Sequence, residues 1–171
     1  MSERLWVFAY ASLMWDAGFN PEETQTAWVS GYHRALCILS IRYRGTPESP
    51  GLVMGLDRGG SCRGLAHLVG KGEEARVTAM LDERELPTGV YSPLKLRTRL
   101  GDGRTVSALA YVARRDHVQY RRLPEAEAAR LIAQGHGSRG RAYDYLECTL
   151  RRMDDLGIRD ARLRRILDSA R

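Results

Sequence analysis

Lysine is nearly missing from this sequence: Lys71 and Lys95 stand against 25 arginines, the remainder of 27 basic residues. With 21 acidic residues the formal net charge is +6. Such an excess can serve nucleic acid or anionic metabolites, or can reflect a GC-rich genome that encodes arginine in place of lysine. The last is the plainest reading for most of these residues. In the arginine-rich tail, Arg151, Arg152, Arg159, Arg162, Arg164, Arg165 and Arg171 alternate with Asp154, Asp155, Asp160 and Asp168. Interspersed signs mark a solvated helix face, not a nucleic-acid stripe. Cysteine is scarce and odd in number: Cys37, Cys62 and Cys148 are far apart and form no Cys-x-x-Cys. That excludes a disulfide framework and fits reduced thiols. His33, His67, His117 and His136 show no metal-ligand spacing with them. No apolar run reaches the roughly 18 residues a membrane helix needs. Met1-Ser2-Glu3-Arg4 leads straight into a strand pattern, without the basic and long apolar regions of a secretory signal. The expectation is a cytoplasmic protein that engages neither membrane nor nucleic acid.

What is present fits one globular domain over residues 1–171, with 43% apolar and 28% charged residues. Residues 5–10 read as a first strand. Ala27-Trp28-Val29 reads as a short strand or loop, and residues 34–41 as a second strand. Arg42 to Gly51 holds two prolines and two glycines and must be a loop. Residues 51–57 and 63–69 read as two short strands, with Arg58-Gly59-Gly60-Ser61 as a hairpin turn between them. Residues 73–84 form a helix with Ala75, Val77, Met80 and Leu81 on one face. Residues 94–99 and 104–113 form a hairpin across Gly101-Asp102-Gly103. Leu123-Pro124-Glu125 starts a helix that stops at Gly135-His136-Gly137. A second helix covers 140–156, and Gly157 ends it. A third covers 159–169. Strands first and helices last point to α+β: a curved, mostly antiparallel sheet or small barrel closed by C-terminal helices.

Three places could carry chemistry. The first is Leu5-Trp6-Val7-Phe8-Ala9-Tyr10-Ala11-Ser12-Leu13-Met14-Trp15, a strand that ends in small residues. Its turn leaves backbone N–H groups able to hold a carboxylate or a carbonyl oxygen; an ordinary core strand with a tight turn is the plainer reading. The second is Glu85, four residues beyond Leu81 and so on the inward face of its helix. A desolvated carboxylate there is suited to general acid–base work. Its alternatives are a turn to solvent or a pair with Arg84 or Arg97. The third is Arg44, which a Pro/Gly loop could present to a carboxylate. Cys62 and His67 fall on opposite faces of a strand and make no catalytic pair. Gly59-Gly60 lacks the following residues of a phosphate loop.

In order and spacing these stretches resemble the glutathione-specific γ-glutamylcyclotransferases of the ChaC type. Trp6 to Trp15 is similar to that family's opening strand and its Tyr-Gly-Ser-Leu loop. His33-Arg34-Ala35-Leu36-Cys37 is similar to the second strand. Arg44-Gly45-Thr46 with Pro50-Gly51 matches its Arg-Gly and Pro-Gly loop. Arg84-Glu85 and Gly89-Val90-Tyr91-Ser92-Pro93 match the stretch that bears the catalytic glutamate. Ile132-Ala133, Gly137 and Tyr143-Asp144-Tyr145-Leu146 echo the helical end.

The resemblance implies an α+β fold: a small mixed, mostly antiparallel β-barrel of γ-glutamylcyclotransferase type, with flanking and C-terminal helices. It implies cleavage of glutathione to 5-oxoproline and cysteinylglycine without metal or organic cofactor, by a monomer or homodimer. Carried over, Tyr10, Ala11, Ser12 and Leu13 hold the γ-glutamyl group and Glu85 is the acid/base. Arg44 and Tyr91 assist in anchoring the substrate. The chain departs from the family at Ala9 and Ala11, where glycine is usual. At a position that needs φ > 0, alanine costs roughly 1 kcal/mol or more. At a close approach, its methyl crowds the substrate. Either effect points to the alternatives: another γ-glutamyl amine as leaving group, or a catalytically weakened γ-glutamyl-binding module.

Overall fold

The computed structural model describes residues 3–171, so Met1 and Ser2 of the N-terminal stretch lie outside the described residues. In order the elements are β1 (Trp6–Ala9), a 3-10 turn (Ser12–Met14), β2 (Glu23–Ser40), β3 (Gly51–Leu68), α1 (Glu74–Glu85), β4 (Tyr91–Leu100) and β5 (Thr105–Ala113). Then come α2 (Glu125–Gln134), β6 (His136–Gly137), β7 (Gly140–Arg141), α3 (Ala142–Asp155) and α4 (Ala161–Ser169). Contacts divide the chain into two compact units. One comprises residues 1–34 and 56–114, the other 35–55 and 115–171.

Five strands form a closed barrel, in the order β1-β3-β2-β4-β5. β1 lies antiparallel to β3, with Phe8 opposite Ala66 and Ala9 opposite Leu65. It lies parallel to β5, with Trp6 opposite Ala108. β4 pairs antiparallel with β2 and, over its whole length, with β5. The barrel is therefore mixed and mostly antiparallel, as expected. Val7, Phe8 and Ala9 are wholly buried, which is why β1 is an unbroken apolar run. Val77 and Leu81 bury the inner stripe of α1, whereas Ala75 is exposed and does not belong to it.

Two readings of the sequence need correction. The segments 27–29 and 34–41 are parts of one strand, β2, which runs through Gly31 at φ +90°. The segments 51–57 and 63–69 are likewise one strand, β3; Gly59 and Gly60, at φ +102° and +68°, lie inside it and make no hairpin. Adjacent glycines with positive φ serve a tight turn or a local irregularity within a strand equally well. Pairing with other strands decides between them, and that information is not local.

In the second unit α2, α3 and α4 pack on one another. Ile132, Leu146, Met153 and Ile166 are fully buried. The Asp160 carboxylate caps α4, accepting from the Leu163 N–H at 2.9 Å. Gly157 ends α3 at φ +71°. Among the described residues no helix is long and apolar enough to cross a membrane.

Candidate active site

β1 ends at Ala9, and the chain turns through residues 10–14. The Tyr10 carbonyl accepts from Arg34 Nε, and the Tyr10 hydroxyl donates to the Tyr111 carbonyl at 2.8 Å. Ala11 has φ −145° and ψ −117°. Its φ is negative, so the penalty expected for an alanine forced to φ > 0 does not arise. Met14 N–H then donates to Ala11 O at 2.9 Å and closes the 3-10 turn. Among the described residues, the N–H groups of Ala11, Ser12 and Leu13 meet no acceptor. Three successive donors at the end of a buried strand are a place where negative oxygen is stabilised.

His67, 5% exposed, fastens the far side of this turn. Its Nε2 lies 3.0 Å from the Leu13 carbonyl and its Nδ1 lies 3.0 Å from Thr24 Oγ1. A carbonyl only accepts, so Nε2 carries the hydrogen. His67 is a brace of the turn and takes no part in a thiol pair: Cys62, its thiol pushed up by burial, contacts the Arg63 carbonyl instead. Replacing His67 by phenylalanine leaves Leu13 O without this donor. The expected cost is about 1–3 kcal/mol, read by urea unfolding.

The second part of the site is the end of α1. Glu85 is the last residue of the helix and lies on the Leu81 stripe. Its side chain is 16% exposed and that of Arg84 is 9% exposed. Arg84 Nε lies 3.5 Å from Glu85 Oε1, so the inward placement and the pairing with Arg84 are both present. The same guanidinium donates from Nη2 to Ser12 Oγ at 2.9 Å and from Nη1 to the Asp16 carbonyl at 2.7 Å. One planar group thus spans the interval from Glu85 to the Tyr10–Leu13 turn.

Tyr111 of β5 completes this region. Its hydroxyl donates to Asp82 Oδ1 at 2.7 Å. Burial, then the bond to Asp82 and the charges of Asp82 and Glu85, push the Tyr111 phenol well above its ordinary range. It stays a neutral donor. Tyr91 opens β4 opposite Ala113, and Pro93 lies opposite Tyr111. Strand alternation therefore sets Tyr91 and Tyr111 on one face of the β4–β5 ladder.

Arg44 belongs to the second unit. Its N–H donates to Ser40 Oγ at 2.9 Å, and its Nη1 donates to the Arg141 carbonyl at 3.2 Å. The guanidinium stands 5.6 Å from the centre of the Tyr145 ring. Burial lowers its pKa, with Tyr145 and Cys148 opposing. The loop is held by close backbone approaches: a Cβ on Gly45 would lie 2.2 Å from Gly51 N, and one on Gly137 2.6 Å from Arg44 N.

Reading the sequence offered Arg84 only as a partner of Glu85 and weighed His67 only against Cys62; it missed their contacts with the Tyr10–Leu13 turn, and it missed Asp82 and Tyr111. A signal existed for Asp82, which stands one turn before Glu85 on the same helix. None existed for the reach of Arg84 to Ser12 and Asp16.

Comparison with known proteins gives the family. The family described as ChaC-like protein matches residues 5–171. The glutathione-specific γ-glutamylcyclotransferase of Escherichia coli (strain K12) is 33% identical over 168 residues, 98% of this chain and 73% of that protein. The glutathione-specific γ-glutamylcyclotransferase 1 of Homo sapiens is 30% identical over 149 residues, 84% of this chain and 67% of that protein. A crystal structure of a yeast γ-glutamylcyclotransferase specific to glutathione superposes with a TM-score of 0.88 at 18% identity, covering 99% of this chain and 96% of that one. At that identity the likeness speaks for the fold alone. The family match and the relatives at 30% identity or more establish that the chain belongs to the ChaC-like family.

Proposed function

We propose that this protein is a γ-glutamylcyclotransferase that cleaves glutathione to 5-oxoproline and cysteinylglycine. One observation carries the reading. The Glu85 carboxylate and the Tyr10–Leu13 turn meet the same guanidinium, so a proton-transfer group and a set of backbone donors stand side by side.

The chemistry suits that pairing. The α-amine of the γ-glutamyl group attacks its own γ-carbonyl and closes a five-membered ring. Nucleophile and electrophile are tethered, so folding the substrate into attack geometry supplies much of the acceleration, up to roughly 7–11 kcal/mol. No enzyme nucleophile is needed. Glu85 takes a proton from the ammonium group and returns it to the departing amide nitrogen of cysteinylglycine. The N–H groups of Ala11, Ser12 and Leu13 hold the substrate carboxylate or the oxygen that gains charge as the ring closes. Tyr10 shapes that turn, and Tyr91 assists anchoring. The reading also takes residues 1–171 as one domain, since the family match covers residues of both units. It places the protein in the cytoplasm, where the thiols Cys37, Cys62 and Cys148 stay reduced.

The test is 5-oxoproline release from a panel: glutathione, γ-glutamylcysteine and γ-glutamyl derivatives of other amines. Glutathione is expected to give the highest kcat/KM. A higher value for another member moves the substrate assignment to that amine, and release from none of them removes the activity.

A further inference from the structure

Arginine usually carries its charge to water, because burying it unpaired is expensive. Arg84 does otherwise, with its side chain 9% exposed. Each edge of its guanidinium plane is committed. Nη2 donates to Ser12 Oγ at 2.9 Å, Nη1 donates to Asp16 O at 2.7 Å, and Nε faces Glu85 Oε1 at 3.5 Å. Asp16 N–H in turn donates to Ser12 O at 2.6 Å, so both hydrogen bonds fall on one closed loop. A lysine, a point charge on a flexible stem, cannot make this planar three-way contact.

From this geometry we propose that Arg84 is the positioning residue of the site: it fixes the Glu85 carboxylate against the Tyr10–Leu13 turn and holds that carboxylate ionised. The role rests on the assignment of Glu85 as acid/base. Ring closure begins with proton removal from an ammonium group, so Glu85 must start as a carboxylate. A neighbouring carboxylate works against this. Asp82, one helical turn back on α1, is a like charge, and Tyr111 of β5 is a neutral phenol bound to Asp82. Tyr91 of β4 shares the ladder face of Tyr111 and brings no positive charge. Arg84 supplies one, and an adjacent cation favours the ionised carboxyl. The same contacts set direction. A displacement of about 1 Å between a catalytic group and its substrate site costs on the order of 10²-fold in rate.

The test compares wild type, Arg84→Gln and Arg84→Lys as full-length proteins. Glu85 is titrated by carbon-13 NMR of its carboxyl, assigned by the signal lost in Glu85→Gln, and 5-oxoproline release from glutathione is followed against pH. In Arg84→Gln the Glu85 midpoint is expected to rise by about one pH unit, with the acid limb of kcat/KM moving the same way. Its kcat should fall about 10²-fold. Arg84→Lys should keep the midpoint near its wild-type place yet lose about tenfold in kcat, since charge remains and the planar fork does not. An unmoved midpoint in Arg84→Gln overturns the proposal, as does a kcat loss that merely follows a fall in Tm. Should Arg84→Gln fail to fold, Arg84→Lys decides: wild-type kcat overturns the proposal, and reduced kcat at unchanged Tm and midpoint supports it. A midpoint that moves in a protein releasing no 5-oxoproline removes the activity and keeps the role of Arg84 in holding the carboxylate ionised.

Discussion

Glu85→Gln is expected to lower kcat for 5-oxoproline release about 10²–10⁴-fold, the usual contribution of a general acid–base group. Glutamine keeps the shape and one oxygen of the side chain but cannot accept the ammonium proton. The fold should tolerate it. Arg84 retains its bonds to Ser12 and Asp16. KM should stay within a few-fold, since the turn donors, not Glu85, are assigned the binding. The measurement is steady-state release of 5-oxoproline beside a thermal unfolding curve. Equal product from the variant removes Glu85 from the chemistry. Product lost together with the fold would make it a structural residue only.

The second large effect concerns Gly64. A Cβ there would lie 2.2 Å from the Ala9 carbonyl oxygen and 3.3 Å from Phe8 Cζ. The obstacle is backbone, and Phe8 and Ala9 are wholly buried, so no flexible side chain can swing away. To accept a methyl, β1 must shift at the end that feeds the Tyr10–Leu13 turn. Gly64→Ala is expected to cost about 3 kcal/mol or more, at the upper end of overpacking effects. Activity should fall further than the folded fraction alone would require, because the turn moves with β1. Gly70→Ala is the control: its Cβ would meet only Glu73 Cγ at 3.7 Å, and its cost should stay within about 1 kcal/mol. Urea unfolding of both variants decides it. A Gly64→Ala protein as stable as wild type would mean that β1 and β3 do not approach this closely.

Much of the architecture was legible because it rests on short-range patterns. The β4–β5 hairpin announces itself through the Gly101-Asp102-Gly103 turn between two strand-forming segments. The helix α3 does so through Tyr145, Leu146, Thr149 and Met153, all buried as their spacing requires. Glu85 could be placed inward because Leu81, four residues earlier, is buried. The long strands β2 and β3 were not legible as single elements. Gly31 and Gly59-Gly60 have the chemistry of turns, and only the strands laid beside them make them internal to a strand. The small β6–β7 pair escaped as well: two residues per strand are too few to show any periodicity.

The sequence by itself determined most of the elements, the faces they bury and the place of Glu85 on the Leu81 stripe. All of these follow from spacings of two, three or four residues, which are properties of a chain segment. The tertiary structure alone decided what stands beside Glu85. Arg84 reaches Ser12 across 72 residues of chain, and the Tyr10 hydroxyl reaches the Tyr111 carbonyl across 101. No local pattern encodes such contacts, because they exist only once β1 has paired with β3 and β5 and α1 has packed its Val77–Leu81 stripe. The arginine beside Glu85 became a buried brace through that closure.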